Sequence, residues 1–194
     1  MVSQTERNKI RNHIRQLRQA LSEETQLSAQ FQLVEQVKQQ KLITAGNKVA
    51  VYLANDGEIN PIALIEYCWL NDAEVYLPVL HPFAKNHLAF FKYQPDTQLT
   101  KNKFGIPEPK LNAQTICPPA SLSHVFLPLV AFDKHGNRMG MGGGFYDRTF
   151  SLPHPAQRRI GLAHDCQQVD ALPVETWDVP LDAIITPSQT IKPD

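Results

Sequence analysis

The chain has 194 residues, 42% of them hydrophobic, and its 19 Lys plus Arg are balanced by 19 Asp plus Glu. That length suits one domain able to bury a sizeable core, and the zero balance excludes a global charge that would drive binding to nucleic acid or a membrane surface. Cys68, Cys117 and Cys166 are odd in number and far apart, which gives neither a disulfide framework nor a zinc knuckle and fits a reducing cytoplasm.

The N-terminal segment carries Arg7, Lys9, Arg11, Arg15 and Arg18 without the continuous apolar run of a secretory signal, and nothing later approaches a membrane span. An arginine-rich, acid-poor start is also the composition of an organellar transit peptide, but this one carries a helix pattern of its own. From Ser3 to Leu21, Ile10, Ile14, Leu17 and Leu21 recur at helical spacing and predict a helix packed along one narrow stripe. At about 100° per residue, Arg7, Arg11, Arg15 and Arg18 form a second stripe roughly 90° away. From there planar guanidinium groups can reach around the edge of the core to phosphate oxygens; a solvated basic flank is the other reading of the same pattern.

Ser22, followed by Glu23 and Glu24, caps a second predicted helix to about Lys41, with Leu27, Phe31, Val34 and Val37 on its inner side. Lys48 to Leu53 reads as the first strand, and it ends in the polar loop Ala54-Asn55-Asp56-Gly57-Glu58, at the strand end where ligands collect in open α/β sheets. Asn60-Pro61 starts a third helix through about Leu70, and Glu74 to Pro78 follows as a strand, an order that implies a parallel crossover. Leu80 to Pro119 is punctuated by prolines, with a strand at Leu88 to Tyr93 and a turn segment from Phe104 to Pro109.

Val125 to Phe132 is the most apolar run and reads as a buried strand with a proline in it. It delivers the chain to Asp133-Lys134-His135-Gly136-Asn137-Arg138-Met139-Gly140-Met141-Gly142-Gly143-Gly144-Phe145-Tyr146-Asp147-Arg148, where four of the nine glycines fall between Gly140 and Gly144. Phe145 to Leu152 predicts a helix that Pro153 and Pro155 stop. Strand, glycine loop and helix together present backbone N–H groups to an anion, and a phosphate suits them. A flexible glycine turn is the alternative, yet a turn has no need of Arg138, Asp147 and Arg148 around it. Neither common nucleotide-loop motif is matched. Ile160 to Ala163 and Ala183 to Thr186 supply two more short strands, and residues 1–194 read as a single domain.

No nucleophile elbow or zinc-protease motif appears, and His135 and His164 read as polar surface or loop residues. What remains is a phosphate cradle, arginines and carboxylates. That inventory suits a reaction in which the substrate brings its own nucleophile and the protein supplies position and charge stabilisation.

Phe132 to Arg148, Phe-Asp-Lys-His-Gly-Asn-Arg-Met-Gly-Met-Gly-Gly-Gly-Phe-Tyr-Asp-Arg, closely resembles the signature of the 5-formyltetrahydrofolate cyclo-ligases, also called methenyltetrahydrofolate synthetases. A weaker resemblance extends from the arginine-rich first helix to Trp177-Asp178. It implies ATP-dependent conversion of 5-formyltetrahydrofolate to 5,10-methenyltetrahydrofolate with release of ADP and phosphate. The formyl oxygen on N5 attacks the γ-phosphate, and N10 then closes the ring. The resemblance places ATP contacts on Arg7, Asn8, Lys9, Ile10 and Arg11 and on Arg138, Met139, Gly140, Met141, Gly142, Gly143, Gly144, Phe145 and Tyr146. It places folate contacts on Leu53, Glu58, Phe104 and the loop from Met141 to Phe145, and Mg²⁺ on Asp147 and Asp178.

Some members of that family carry Arg and Lys inside the loop where this chain has Met141 and Gly143, and Phe145 replaces a common Tyr. The neutral loop leaves fewer cations near a triphosphate, so Arg138 and Arg148 are expected to carry the catalytic charge together with the N-terminal arginines. The implied fold is α/β, one layered domain with a mainly parallel mixed sheet and helices on both faces, of the NagB/RpiA/CoA-transferase-like kind. The expected setting is cytoplasmic, with Mg²⁺ as cofactor, ATP as co-substrate and no nucleic acid, membrane or obligate protein partner. Rival readings are a sugar-phosphate isomerase or CoA transferase working without ATP, a non-catalytic binder of reduced folate or nucleotide, and a nucleic-acid module built on the arginine stripe.

Overall fold

A computed structural model of the protein describes residues 4–152, 154 and 156–193. Ser3, Pro153 and Pro155, expected as one helix start and one helix stop, lie outside the described residues. The central sheet is formed by β1 (Lys48–Ala50), β2 (Glu74–Leu80), β3 (Leu88–Tyr93), β6 (Ile116–Cys117), β7 (His124–Pro128), β10 (Arg158–Leu162), β11 (Ala183–Ile185) and β12 (Thr190–Ile191). Their order is β12-β11-β10-β7-β1-β2-β3-β6. The pairs from β11 through β10, β7 and β1 to β2 are parallel, and β12, β3 and β6 join antiparallel at the flanks. A mixed, mainly parallel α/β sheet is what the strand–helix–strand order predicts.

Helical cover is unequal on the two faces. On one, α2 (Glu23–Gln39) and α3 (Ile62–Leu70) bury Leu33, Val37, Leu64 and Ile65 against Val49, Val75, Phe126 and Ile185. The other face, with Phe90, Val125, Leu127 and Ile184, is closed by Phe150 behind the short α4 (Phe145–Thr149) and by Leu122 and Leu181 from irregular segments. The inner side of α2 also differs from expectation: Ala29, Gln30, Leu33, Val34 and Val37 are buried, whereas Leu27 and Phe31 are exposed. Val34 and Val37 stay in the buried stripe, which turns toward Ala29, Gln30 and Leu33 and away from Leu27 and Phe31.

The first helix, α1 (Gln4–Gln19), does not lie on a face of the sheet. It meets the segments that leave β1, β7 and β10 at their C-terminal ends, through Asp56, Leu129 and the turn at Asp165–Gln167. Its buried residues are Arg7, Arg11, Ile14 and Arg18, while Leu17 is exposed. The arginine stripe is therefore the inner side of the helix, and a solvated basic flank is ruled out.

The apolar run Val125 to Phe132 is not one strand. It leaves the sheet at Pro128, where the missing N–H cannot continue the ladder. Ala131–Phe132 (β8) pairs instead with Arg138–Met139 (β9) in a separate hairpin. The carbonyls freed by the break are satisfied by side chains: Leu129 O accepts from Arg18 and Gln167, and Val130 O accepts from Gln167. Between β3 and β6 a second hairpin, β4 (Leu99–Lys101) with β5 (Pro107–Pro109), carries Phe104 at its tip. Among the described residues no helix is long and apolar enough to cross a membrane.

The β8–β9 turn closes on Asp133, a fully buried carboxylate that accepts from the backbone N–H of His135, Asn137 and Leu172 and from the Asn137 amide. Asp133→Ala strands these donors and is expected to lower the unfolding free energy by about 2–4 kcal/mol. Urea titration measures it, and a midpoint equal to wild type would mean that the turn closes without this acceptor.

Candidate functional site

The parallel strands open at their C-terminal ends onto a cleft of about 1800 Å³. Tyr52 and Leu53 follow β1, Pro128 ends β7 and Leu129 follows it, and Leu77, Pro78 and Leu80 lie toward the end of β2; all of them line it. α1 forms one wall with Arg7, Arg11 and Arg15, the glycine loop from Gly140 to Gly144 forms another, and the β4–β5 hairpin adds Asn102, Phe104 and Glu108.

The loop is entered from β9, so the strand before it is Arg138–Met139 and not the longer apolar run. It leads into α4, which spans only Phe145–Thr149 and not the stretch to Leu152. Gly144 at the N-cap has φ +65°, where a side chain would be strained and would also collide with Arg148. Two arginines hold the loop by its carbonyls: Arg11 Nε donates to Gly140 O at 2.8 Å and Arg148 Nη1 to Gly143 O at 2.8 Å. Arg148 is otherwise exposed.

Arg138 is buried, with Nη2 donating to Asp147 Oδ1 at 2.6 Å, and its Nε has no hydrogen-bond partner among the described residues. A buried donor left without an acceptor is costly, and beside a cleft it is a demand for a ligand oxygen. Arg7 donates to Asp178 Oδ2 at 3.2 and 3.3 Å and to Pro173 O at 2.9 Å. Burial and the neighbouring Arg7 push Arg11 below its ordinary value.

The two carboxylates implied as metal ligands each use one oxygen for these bonds. Asp147 Oδ1 accepts from Arg138 and from Val179 N, and Asp178 Oδ2 accepts from Arg7 and from Glu175 N. No group of three or more His, Cys, Asp or Glu among the described residues forms a ready-made metal cage. Two carboxylates, each with its second oxygen outside these bonds, fit an Mg²⁺ that takes its remaining ligands from substrate phosphates and water.

At the strand-end loop, Glu58 Oε2 accepts from Asn55 N at 3.0 Å. Burial raises its pKa to about 7, against the lowering effects of that hydrogen bond and of Arg18. Asp56 is the opposite case. The hydrogen bond from Arg15 holds it down to about 2, outweighing its partial burial, and Arg18 adds to the effect. Phe104, half-exposed, meets Phe145 edge-on with ring centroids 6.0 Å apart, and both side chains face the cleft.

The expected residues thus divide. Arg7, Arg11, Leu53, Glu58, Phe104, Arg138, the glycines, Met141, Phe145, Tyr146, Asp147, Arg148 and Asp178 all line one cleft. Asn8, Lys9, Ile10 and Met139 do not: Asn8 and Lys9 are exposed, Ile10 packs against Ile14 and Val130, and Met139 is core. His135 is exposed on its turn, but His164 is buried, not a surface residue, and burial and Arg18 depress its pKa to about 4. The Arg15 and Arg18 bonds to Asp56, and the docking of the β4–β5 hairpin by Glu108 onto Leu80 N, had no counterpart in the expectation. No local pattern signals the first, whose partners lie some 40 positions apart.

The model of the 5-formyltetrahydrofolate cyclo-ligase family matches residues 3–187. The chain belongs to that family. It is 48% identical to the 5-formyltetrahydrofolate cyclo-ligase of Haemophilus influenzae over 93% of this chain and 94% of the relative. To that of Escherichia coli K12 it is 45% identical over 91% and 97%. Its fold is similar to the solution structure of the Aquifex aeolicus 5,10-methenyltetrahydrofolate synthetase, with a TM-score of 0.80 and 27% identity over 96% of this chain and 92% of that one.

The Glu58 carboxyl gives a signed expectation for stability. With a folded pKa of about 7 above an ordinary 4.5, the folded state binds the extra proton between those values, so stability falls as pH rises through the window. Glu58→Gln removes the term and is expected to be more stable than wild type by about 2 kcal/mol at pH ~8, the gap closing near pH ~4.5. Denaturation at the two pH values measures it; equal gaps would show that Glu58 titrates normally.

Proposed function

We propose that this chain catalyses the ATP-dependent cyclisation of 5-formyltetrahydrofolate to 5,10-methenyltetrahydrofolate, with ADP and phosphate as the other products. The observation that carries the reading is that one cleft joins buried arginines around a glycine loop, one with an unsatisfied Nε, to a half-buried carboxylate at a strand end. The family and its relatives support the same reading. So do the chemistry of the cleft and the lack of any need for a protein nucleophile.

In this reading the loop N–H groups, Arg11 and Arg138 cradle the triphosphate, and the unpaired Arg138 Nε donates to a phosphate oxygen. Arg148 lies on the Gly143 carbonyl and can turn to the transferring phosphoryl group. Glu58 accepts two N–H bonds from the pterin edge, which its ionised form does best, and Phe104 and Phe145 flank the folate. The formyl oxygen attacks the γ-phosphorus as the bond to the ADP oxygen breaks. N10 then adds to the activated carbon and gives up its proton, and phosphate leaves with the former formyl oxygen. Arginines aimed at the phosphates stabilise charge where it develops. Bound Mg²⁺, held by Asp147 and Asp178, would supply further neutralisation of the phosphates. The fold is assigned to the NagB/RpiA/CoA-transferase-like class, with support from the parallel core and the site at its strand ends, and the setting is cytoplasmic, with support from three free cysteines.

The test is to mix protein, 5-formyltetrahydrofolate, ATP and Mg²⁺ and follow the near-ultraviolet absorbance of the methenyl product, omitting each component in turn. Product is expected only with ATP and metal present. Arg138→Ala is expected to lower kcat/KM for ATP by about 10²-fold, the scale of one lost charge-stabilising donor. Wild-type turnover by that variant would remove Arg138 from the phosphate site, and folate binding without product would leave a non-catalytic binder.

A further inference from the structure

Asn55 O accepts from Glu58 N at 3.0 Å across a four-residue turn. Its two central residues, Asp56 at φ +54° and Gly57 at φ +73°, are both left-handed, the mark of a type I′ turn. Such a turn normally closes a hairpin, yet here it links β1 to α3 and has no partner strand to hold it. What holds it is α1. Arg15 Nε and Nη2 donate to Asp56 Oδ2 and Oδ1 at 2.7 and 2.8 Å, Arg18 Nη2 donates to Oδ2 at 2.7 Å, and Gln19 donates to Oδ1. Arg18 Nε also binds the Asp56 carbonyl at 2.8 Å. A Cβ on Gly57 would sit 3.3 Å from the Arg18 carbonyl and from Gln19 Cα, so the helix backbone lies directly against the turn.

The same helix carries Arg7 and Arg11, two turns and one turn before Arg15, into the cleft. The turn carries Glu58 into it from the other direction. We propose that Asp56 is a positioning residue that locks the phosphate-facing arginines of α1 and the Glu58 carboxylate into one rigid unit, setting both substrates at a fixed relative position. This rests on the reading that Glu58 meets the folate and that Arg7 and Arg11 serve ATP. Asp56 also lines the cleft, but both its carboxylate oxygens are taken by Arg15, Arg18 and Gln19, and it acts through Arg15 and Arg18 on the helix and through the turn on Glu58. Two reactants that must meet in line lose rate steeply when their supports move independently.

The test is steady-state kinetics of Asp56→Asn, a residue that tolerates positive φ and keeps the size while losing the charge. KM is expected to rise for both ATP and 5-formyltetrahydrofolate by about tenfold. In the Glu58→Gln background Asp56→Asn is expected to add less than about twofold to the folate KM, because the group it positions is already gone. A merely structural role would lower kcat through a smaller folded fraction with both KM values unchanged, and that result, or a rise in only one KM, overturns the lock. The underlying reading fails separately, as a Glu58→Gln protein with wild-type folate KM. If Asp56→Asn is too unstable to purify, Arg15→Ala keeps the buried Arg18–Asp56 pair and removes the outer half of the grip. It is expected to raise the folate KM by about threefold and to lose that effect in the Glu58→Gln background; additive effects would overturn the proposal.

Discussion

Arg18 is fully buried and among the largest side chains of the interior, and the cleft is built on it. A guanidinium taken out of water is tolerated only when its donors are met and its charge is paired. Arg18 meets both conditions by joining three separate segments: the Asp56 carboxylate and carbonyl after β1, the Leu129 carbonyl after β7, and α1 itself. Each of those acceptors is left open by something else in the sequence. Leu129 O is free because Pro128 ends the strand pairing of β7, and Asp56 is turned inward by a left-handed backbone. The buried charge therefore dictates where α1 lies, and α1 dictates where Arg7 and Arg11 point.

The same logic governs the ligand end. Arg7 with Asp178 and Arg138 with Asp147 are partly buried pairs in which each charge excuses the other's desolvation. Removing only one member leaves an uncompensated charge, so these aspartates hold the arginines in readiness whatever else they bind. In the proposed reading, a triphosphate entering such a site would meet guanidinium groups already oriented and already stripped of much of their water, which is the condition under which electrostatic stabilisation is strongest. The zero net charge of the chain is compatible with this because the positive groups are concentrated by folding and not by composition.

Periodicity and turn chemistry were enough to find the sheet. The strand–helix–strand order forecast the parallel pairing of β1 with β2, and Leu88–Tyr93 was placed at its observed limits. What failed was any rule that equates buried with apolar. On α1 the apolar stripe was taken as the packed side, yet Leu17 is exposed and Arg18 is not, because the interior at the strand ends is polar and asks for donors. On α2, Leu27 and Phe31 look like core residues and face water. In the site, the glycine loop was legible from its residue types, and Glu58 from its strand-end loop together with the family resemblance; both line the cleft. Asp56 was not, since its worth lies in bonds to residues some 40 positions away that no local pattern encodes.

Glu58 and Asp56 show how two carboxylates two residues apart are driven in opposite directions by one helix. Arg15 and Arg18 reach Asp56 directly and keep it ionised, while Glu58, beyond their hydrogen-bonding reach, receives burial and a single backbone N–H. The first carboxylate is spent on structure and is stable as it stands. The second takes up a proton more readily than an ordinary carboxylate, and its ionised form gains most from a ligand that brings donors to it. A turn of Asn-Asp-Gly-Glu thus separates the two roles by pointing one side chain at α1 and the other at the cleft.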